Sequence, residues 1–255
     1  MPVQPTTPPV ADHDAAALAH HSAGWDRVVA RATPWRPPSS RTVVVAPHPD
    51  DEVLGCGGLV AHQRRRGVEV VVVAVTDGEA AYPDRRQELA EIRRAEQRRA
   101  LEALGVGADA VVRLGLPDGG LANLVAELTD ELRAIVQPSD LVVAPWTRDH
   151  HSDHIACGRA ATAAADEVGA EAVGTLFWAY HFTDPDTVER ADDPTGDGVS
   201  RFGRLDLDTE LIERRAVALG CHGSQLPGGD VDDTVLDAGR LAPLDRNVEL
   251  YARNG

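Results

Sequence analysis

A formal net charge of -16 over 255 residues gives this protein a surface that repels phosphate backbones and anionic lipid, which makes nucleic acid and membranes poor partners. Hydrophobic residues make up 43% of the chain, enough for a sizeable core, and this argues against global disorder. All 25 basic residues are arginine, which removes lysine-based chemistry such as a Schiff base or a phosphate-binding P-loop.

Residues 1–40 hold seven of the 17 prolines and read as a proline-rich N-terminal arm, with a short helix around Asp14 to Ala30. The arm has no basic start and no apolar stretch of signal-peptide type, and no run in the chain approaches membrane-spanning length. His20 and His21 lack sequence partners and read as solvated surface. Cys56, Cys157 and Cys221 are far apart and odd in number, which suits reduced, buried thiols and a cytoplasmic location.

From Arg41 to residue 255 the pattern is that of one domain. TVVVA (42–46) is a β-branched run, the mark of a strand buried on both faces. VEVVVVAV (68–75), AVVRLG (110–115), DLVVAP (140–145) and TLFWAY (175–180) are the next four predicted strands. Helical stretches separate them: LGCGGLVAHQRRRG after the first, 85–105 with a glycine stop after the second, and 121–137 with leucines at 124, 128 and 132 on one face. A last helix is expected near Asp208 to Leu219, and 189–204 reads as a polar loop. Alternating strands and helices predict an α/β fold, a three-layer Rossmann-like, mostly parallel sheet with helices on both faces.

Such sheets bind ligands beyond the carboxyl ends of their strands. Here each of the first four strands is followed by acids, and two of them by histidines as well: HPDDE (48–52), TDGE (76–79), LPDGG (116–120) and WTRDHHSDH (146–154). His48 and Asp51 are three apart on a turn entering a helix, and His151 and His154 repeat the spacing. A catalytic zinc takes three N/O protein ligands and leaves a position open for water. Histidine and carboxylate suit Zn²⁺, and Fe²⁺, Co²⁺ or Mn²⁺ fit the same set. Asp50, between His48 and Asp51, is placed to take a proton from water, and His151 to stabilise an oxyanion or protonate a leaving nitrogen. Glu52 is expected only to favour the helix dipole. GCGG lets the first helix pack close to the sheet. On helix 85–105, Leu89, Ile92 and Leu104 mark the inner face; Arg93 and Glu96 lie on or beside it, as a buried ion pair or as an arginine holding a polar substrate.

APHPDDEVLGCGG and HHSDH resemble the paired signatures of the PIG-L/LmbE deacetylase family, and TDGE, Arg93 with Glu96, LGLPDGGL and CHGSQ resemble its other segments in the same order. The resemblance covers about residues 40–250. It implies zinc-dependent removal of an acetyl or other acyl group from a small N-acylated amino sugar or glycoconjugate. By motif match it assigns His48, Asp51 and His154 to the metal, Asp50 as general base and His151 to the oxyanion or leaving amine. Glu79, Arg93 and Asp118 match positions near the substrate. His150 makes a double histidine, and the HxDH spacing selects His151 and His154. His181 and His222 are expected to be structural. Substrate choice is expected to lie in 180–204 and 222–240. A homo-oligomer is compatible with the sequence.

Three other readings compete. One is an amidase acting on a thiol-cofactor conjugate with the same metal and base. A dinucleotide-binding protein would need GxGxxG after the first strand, where this chain has acids. A non-catalytic metal-binding protein would have no need of Asp50.

Overall fold

The computed structural model describes residues 15–192, 200–228 and 235–253. In chain order these form helix α1 (Ala15–Arg31), strand β1 (Thr33–Pro34), β2 (Thr42–Ala46), α2 (Asp51–Arg65), β3 (Val70–Ala74), α3 (Arg86–Leu104), β4 (Val111–Arg113), α4 (Val125–Ile135), β5 (Leu141–Pro145), α5 (Ser152–Val168) and β6 (Glu171–Thr175). There follow α6 (Ala179–Phe182), α7 (Pro185–Asp192), β7 (Phe202–Asp206), α8 (Thr209–Gly220), α9 (Ala238–Leu241) and β8 (Val248–Arg253).

The valine-rich runs at β2, β3 and β5 are buried at every position. Strands of this kind need cover on both faces. Alternation supplies it: Val43 and Val45 point into a core with Leu128, Leu132 and the alanines of α5, whereas Val44 and Ala46 join Leu59, Leu101, Leu104 and Leu211 on the opposite face. The sheet order is β1-β7-β8-β6-β5-β2-β3-β4. β2 pairs in parallel with β3 on one side and β5 on the other, so the connections reverse direction between β2 and β5. That reversal places the loops after β2 and β5 side by side at the carboxyl edge. α5 comes close to this edge because Gly158 carries no side chain; a Cβ there would strike the Pro145 carbonyl oxygen.

Several expectations are corrected. The fifth predicted strand, TLFWAY, is displaced upstream: β6 is Glu171–Thr175, and its last residue pairs with Pro145. The aromatic run leaves the sheet instead, because its bulk serves a wall beside the carboxyl edge and packs on α1, where Tyr180 meets Trp25 with ring centroids 5.5 Å apart. The stretch expected as a polar loop, 189–204, ends α7 and begins β7; residues 193–199 lie outside the described residues. β8 runs antiparallel between β6 and β7, an insertion the alternating pattern does not reveal. The helix expected around Asp14 to Ala30 is α1, whose Trp25 and Val28 enter a third core with Trp146 and Phe202. Residues 1–14 of the arm lie outside the described residues. No helix among those described is long and apolar enough to cross a membrane.

The GCGG segment breaks α2. Cys56 has φ -151 and ψ 22, outside helical geometry, so the helix restarts there and leaves backbone N–H groups without intrahelical partners. The buried Glu249 carboxylate of β8 accepts two of them, from Gly58 at 2.7 Å and Leu59 at 2.8 Å. It also accepts the Tyr251 hydroxyl at 2.7 Å and lies 3.7 Å from Arg215. Removing a carboxylate that serves so many buried donors is costly. Glu249→Ala is expected to lower unfolding free energy by about 3 kcal/mol in urea denaturation; a loss within error of zero would show that this cap is not holding α2.

Candidate active site

The first site loop turns sharply because its charges bond its own backbone. The His48 N–H donates to Asp51 Oδ2 at 3.0 Å, and the Asp51 N–H donates to the His48 carbonyl at 3.3 Å. Thr76, at the end of β3, ties down Pro47 through its N–H and its hydroxyl. Within this turn Asp50 has φ 134 and ψ -30. Positive φ in a residue with a Cβ costs on the order of 1–3 kcal/mol, and such strain persists only where surroundings enforce it.

Three donor atoms converge from two loops. His48 Nδ1 lies 3.2 Å from Asp51 Oδ2, His154 Nε2 lies 3.3 Å from the same oxygen, and the two nitrogens are 3.4 Å apart. A tetrahedral ion with bonds of about 2.0–2.1 Å separates its ligand atoms by about 3.3–3.4 Å. The donor set and its spacing therefore fit a divalent cation, and His48, Asp51 and His154 form one of two groups in the described residues that could hold one. The other group, His48, His151 and Asp153, shares His48 and belongs to the same site.

The far side of each candidate ligand is also held. His48 Nε2 lies 3.2 Å from Asp118 Oδ1 and 3.5 Å from Asp153 Oδ2. His154 Nδ1 lies 3.4 Å from Asp149 Oδ2. Trp178 Nε1 donates to Asp51 Oδ1 at 3.0 Å. Such contacts select the tautomer and aim the ligand. The carboxylates are anchored in turn: Asp153 accepts from the N–H groups of Gly119 and Leu121, Asp149 from those of His150 and His151, and Asp118 from that of Ala80.

The charges show what the site favours. Burial alone would push the His48 imidazole down, yet its contacts with Asp118, Asp153 and Asp51 carry it well above the ordinary histidine value. His154 is likewise opposed by burial but raised to about 9, through Asp51 and Asp149. Asp51 is held well below its ordinary value by His154 and His48 despite burial, and Asp118 falls to about 2, mainly through its bond to His48. Asp50 is pushed the other way, by burial and the Asp51 charge. The two imidazoles and their carboxylates thus require positive charge between them, as protons or as a cation.

His151 stands exposed at the edge of this group, with its ring centroid 5.0 Å from that of His48 and 4.8 Å from that of His154. Partial burial of the ring and the two neighbouring imidazoles lower it to about 4. Its Nδ1 accepts the Asp153 N–H at 3.2 Å as the cap of α5, so the neutral ring carries its proton on Nε2. His150 turns away and stacks on Phe182. Arg93 and Glu96 are both buried but do not pair: Arg93 Nη1 donates to the Gly78 carbonyl at 2.7 Å, and Glu96 accepts from Ser224. Arg93 Nε and Nη2 have no hydrogen-bond partner among the described residues. Glu79 accepts the Asp118 N–H at 3.1 Å, behind His48.

His181 lies in the aromatic wall with Phe177, Trp178 and Phe182 and is lowered to about 4 by burial. His222 is fully enclosed, 3.8 Å from Glu52, and is lowered to about 4 by burial and by Arg93. Glu52 does stand in the first turn of α2, where an acid favours the helix dipole, but its carboxylate also accepts the Asp50 N–H and the Gln97 side-chain amide. It is fully buried, and burial raises it to about 7. Asp149, Trp178 and the orienting role of Asp153 were not foreseen; Asp149 alone gave a signal, as an acid after a buried strand. Of the stretches expected to choose substrate, residues 193–199 and 229–234 lie outside the described residues.

Residues 43–165 match the family model described as PIG-L: GlcNAc-PI de-N-acetylase. Over 168 residues the chain is 35% identical to the 1D-myo-inositol 2-acetamido-2-deoxy-alpha-D-glucopyranoside deacetylase of Mycobacterium sp. (strain KMS), and the match covers 54% of each. The chain thus spans about half the length of that curated relative. It is 28% identical to the 2'-N-acetylparomamine deacetylase of Streptomyces fradiae, over 80% of each chain. Among solved structures it resembles the N,N'-diacetylchitobiose deacetylase of Pyrococcus horikoshii with a TM-score of 0.53 and 28% identity, covering 74% of this chain and 71% of that one.

The charge balance generates a test. The His154 imidazole titrates near 6.5 when free and near 9 in the fold. A group raised on folding stabilises the protein fully below its unfolded value and loses that contribution as pH climbs through its folded value. Metal-free protein is therefore expected to melt at progressively lower temperature from pH 6.5 to about 9. Zinc, which displaces the proton, should abolish this fall. Melting curves with chelator and with zinc check it; a flat profile in chelator would refute the charge assignment.

Proposed function

We propose, on the premise that residues 43–165 form a PIG-L family domain, that this protein is a metal-dependent hydrolase that removes an N-acetyl group from a small amino sugar or glycoconjugate. The observation that carries the reading is the trio His48, Asp51 and His154 at mutual separations of 3.2–3.4 Å, with Asp50 in the same turn. A divalent cation held by that trio, zinc in our reading, supplies Lewis acidity that brings the pKa of a water toward 7.

The remaining work falls to the chain. Asp50, whose carboxyl burial and Asp51 make unusually basic, accepts the proton of the attacking water. His151, neutral with its proton on Nε2, donates a hydrogen bond to the oxygen that gains charge as the amide is attacked. The proton taken by Asp50 then passes to the leaving nitrogen, since an amine anion is too poor a leaving group to depart bare. Arg93, with Nη1 on the Gly78 carbonyl and Nε and Nη2 buried, is assigned to the substrate end of the site by motif match, while Asp118 and Glu79 act through His48 by fixing its ring. The wall of Phe177, Trp178 and Phe182 suits the apolar face of a sugar ring. Free cysteines, two of them buried, support a reducing, cytoplasmic setting.

Protein purified without added metal is expected to hold about one divalent ion per chain, lost in His154→Ala. Asp50→Asn should keep the metal yet release acetate about 10²–10⁴-fold more slowly. Suitable probes are 1D-myo-inositol 2-acetamido-2-deoxy-alpha-D-glucopyranoside and N,N'-diacetylchitobiose, the compounds named for two relatives. No metal in the wild type, even after zinc is offered and excess removed, would defeat the reading.

A further inference from the structure

We infer that Glu52 and Gln225 are positioning residues that grip opposite ends of one peptide group, Pro49–Asp50, and so hold the general base in its strained conformation. The inference rests on the assignment of Asp50 as base. Rotation about the Asp50 N–Cα bond is φ, and φ here is 134. Fixing the plane of the preceding amide while α2 fixes the following residues leaves the Cα–Cβ bond of Asp50 one direction.

Both polar atoms of that amide are held by buried side chains. Its N–H donates to Glu52 Oε2 at 3.3 Å, and its carbonyl accepts from Gln225 Nε2 at 2.6 Å. Glu52 is 0% exposed and Gln225 1%. Chemistry settles the identity of each grip: an N–H needs an acceptor, which a carboxylate supplies, and a carbonyl oxygen needs a donor, which only the amide nitrogen of Gln225 supplies. The two residues are 173 positions apart in sequence, and both reach this peptide and His222.

Each grip is itself supported from α3. Gln97 Nε2 donates to Glu52 Oε2 at 3.2 Å, and Gln97 Oε1 accepts from Arg113 at 2.8 Å. One position earlier, Glu96 accepts the Ser224 N–H at 2.7 Å and its hydroxyl at 2.6 Å, which pins the short turn that carries Gln225. Adjacent residues of one helix therefore back both ends of the amide. This gives a physical reason for an acid at position 52 to be fully buried, where an ordinary first-turn acid would face solvent.

The test uses isosteric pairs. Glu52→Gln keeps an acceptor for the N–H and should retain kcat within about 5-fold, whereas Glu52→Leu and Gln225→Leu should each lose about 10²-fold in kcat with KM and bound metal unchanged. Gln225→Glu keeps the shape but removes the donor and should resemble Gln225→Leu. Because both residues act on one amide, the Glu52→Leu/Gln225→Leu double variant should fall no further than about 10-fold below the worse single, where independent effects would multiply. Crystal structures of the single variants should show φ of residue 50 relaxed to negative values. Unchanged kcat in the Leu variants, multiplicative losses in the double, or φ still near its present value would overturn the inference. If metal-loaded wild type releases no acetate from either probe, the function proposed above fails, and φ at residue 50 in the folded variants alone decides the clamp.

Discussion

Two imidazoles enclosed by four carboxylates set the terms for everything around them. His48 and His154 face each other across Asp51, with Asp118, Asp149 and Asp153 behind. Like charges this close, largely withdrawn from water, repel unless something positive lies between them. The surrounding fold has to resist that repulsion whenever the positive charge is absent. The fully buried valine strands, the alanine face of α5 and the close seat at Gly158 supply the rigidity. The reversal of chain direction between β2 and β5 is what lets two loops, each too short to build such a group alone, share it.

Support for the site divides between the two faces of the sheet. The residues that aim His154 come from the loop and first turn of α5, over the core that contains α4. The residues that hold the Asp50 peptide come from α2, α3 and the turn at 222–225, on the opposite side. The orientation of His154 and that of the Asp50 peptide are thus supported from different packing layers, which meet at the turn holding His48, Asp50 and Asp51.

Much of this was legible in the sequence, for a reason. HPDDE and HHSDH interrupt apolar strands abruptly, and charge directly after a buried run has few purely structural explanations. Arg93 and Glu96 were placed at the buried face by their spacing from Leu89 and Ile92, although the pairing offered for them is replaced by separate partners. What stayed hidden is what depends on direction or distance. Trp178 sits in a run whose aromatic residues serve a strand or a wall equally well. Asp149 was marked only as an acid after a buried strand and Asp153 looks like any surface acid, because the role of each depends on which ring nitrogen it meets. Glu52 obeys the rule for first-turn acids in sequence and departs from it in space. β7 and β8 pair antiparallel with mixed polarity, so neither shows the continuous apolar signature of β2, β3 and β5.

The position of β8 has a consequence for how the protein comes into being on the ribosome. Of the eight strands among the described residues it is last in sequence but lies inside the sheet, between β6 and β7. A nascent chain that has emerged only as far as α8 has a gap at that place. Its α2, the helix that opens with Asp51, also lacks the carboxylate that takes up the Gly58 and Leu59 amides at its break. Translation must deliver Glu249 before that helix has its full complement of hydrogen bonds. The residues that would do the chemistry are made first, and the part of the scaffold that steadies them follows only after the rest of the sheet.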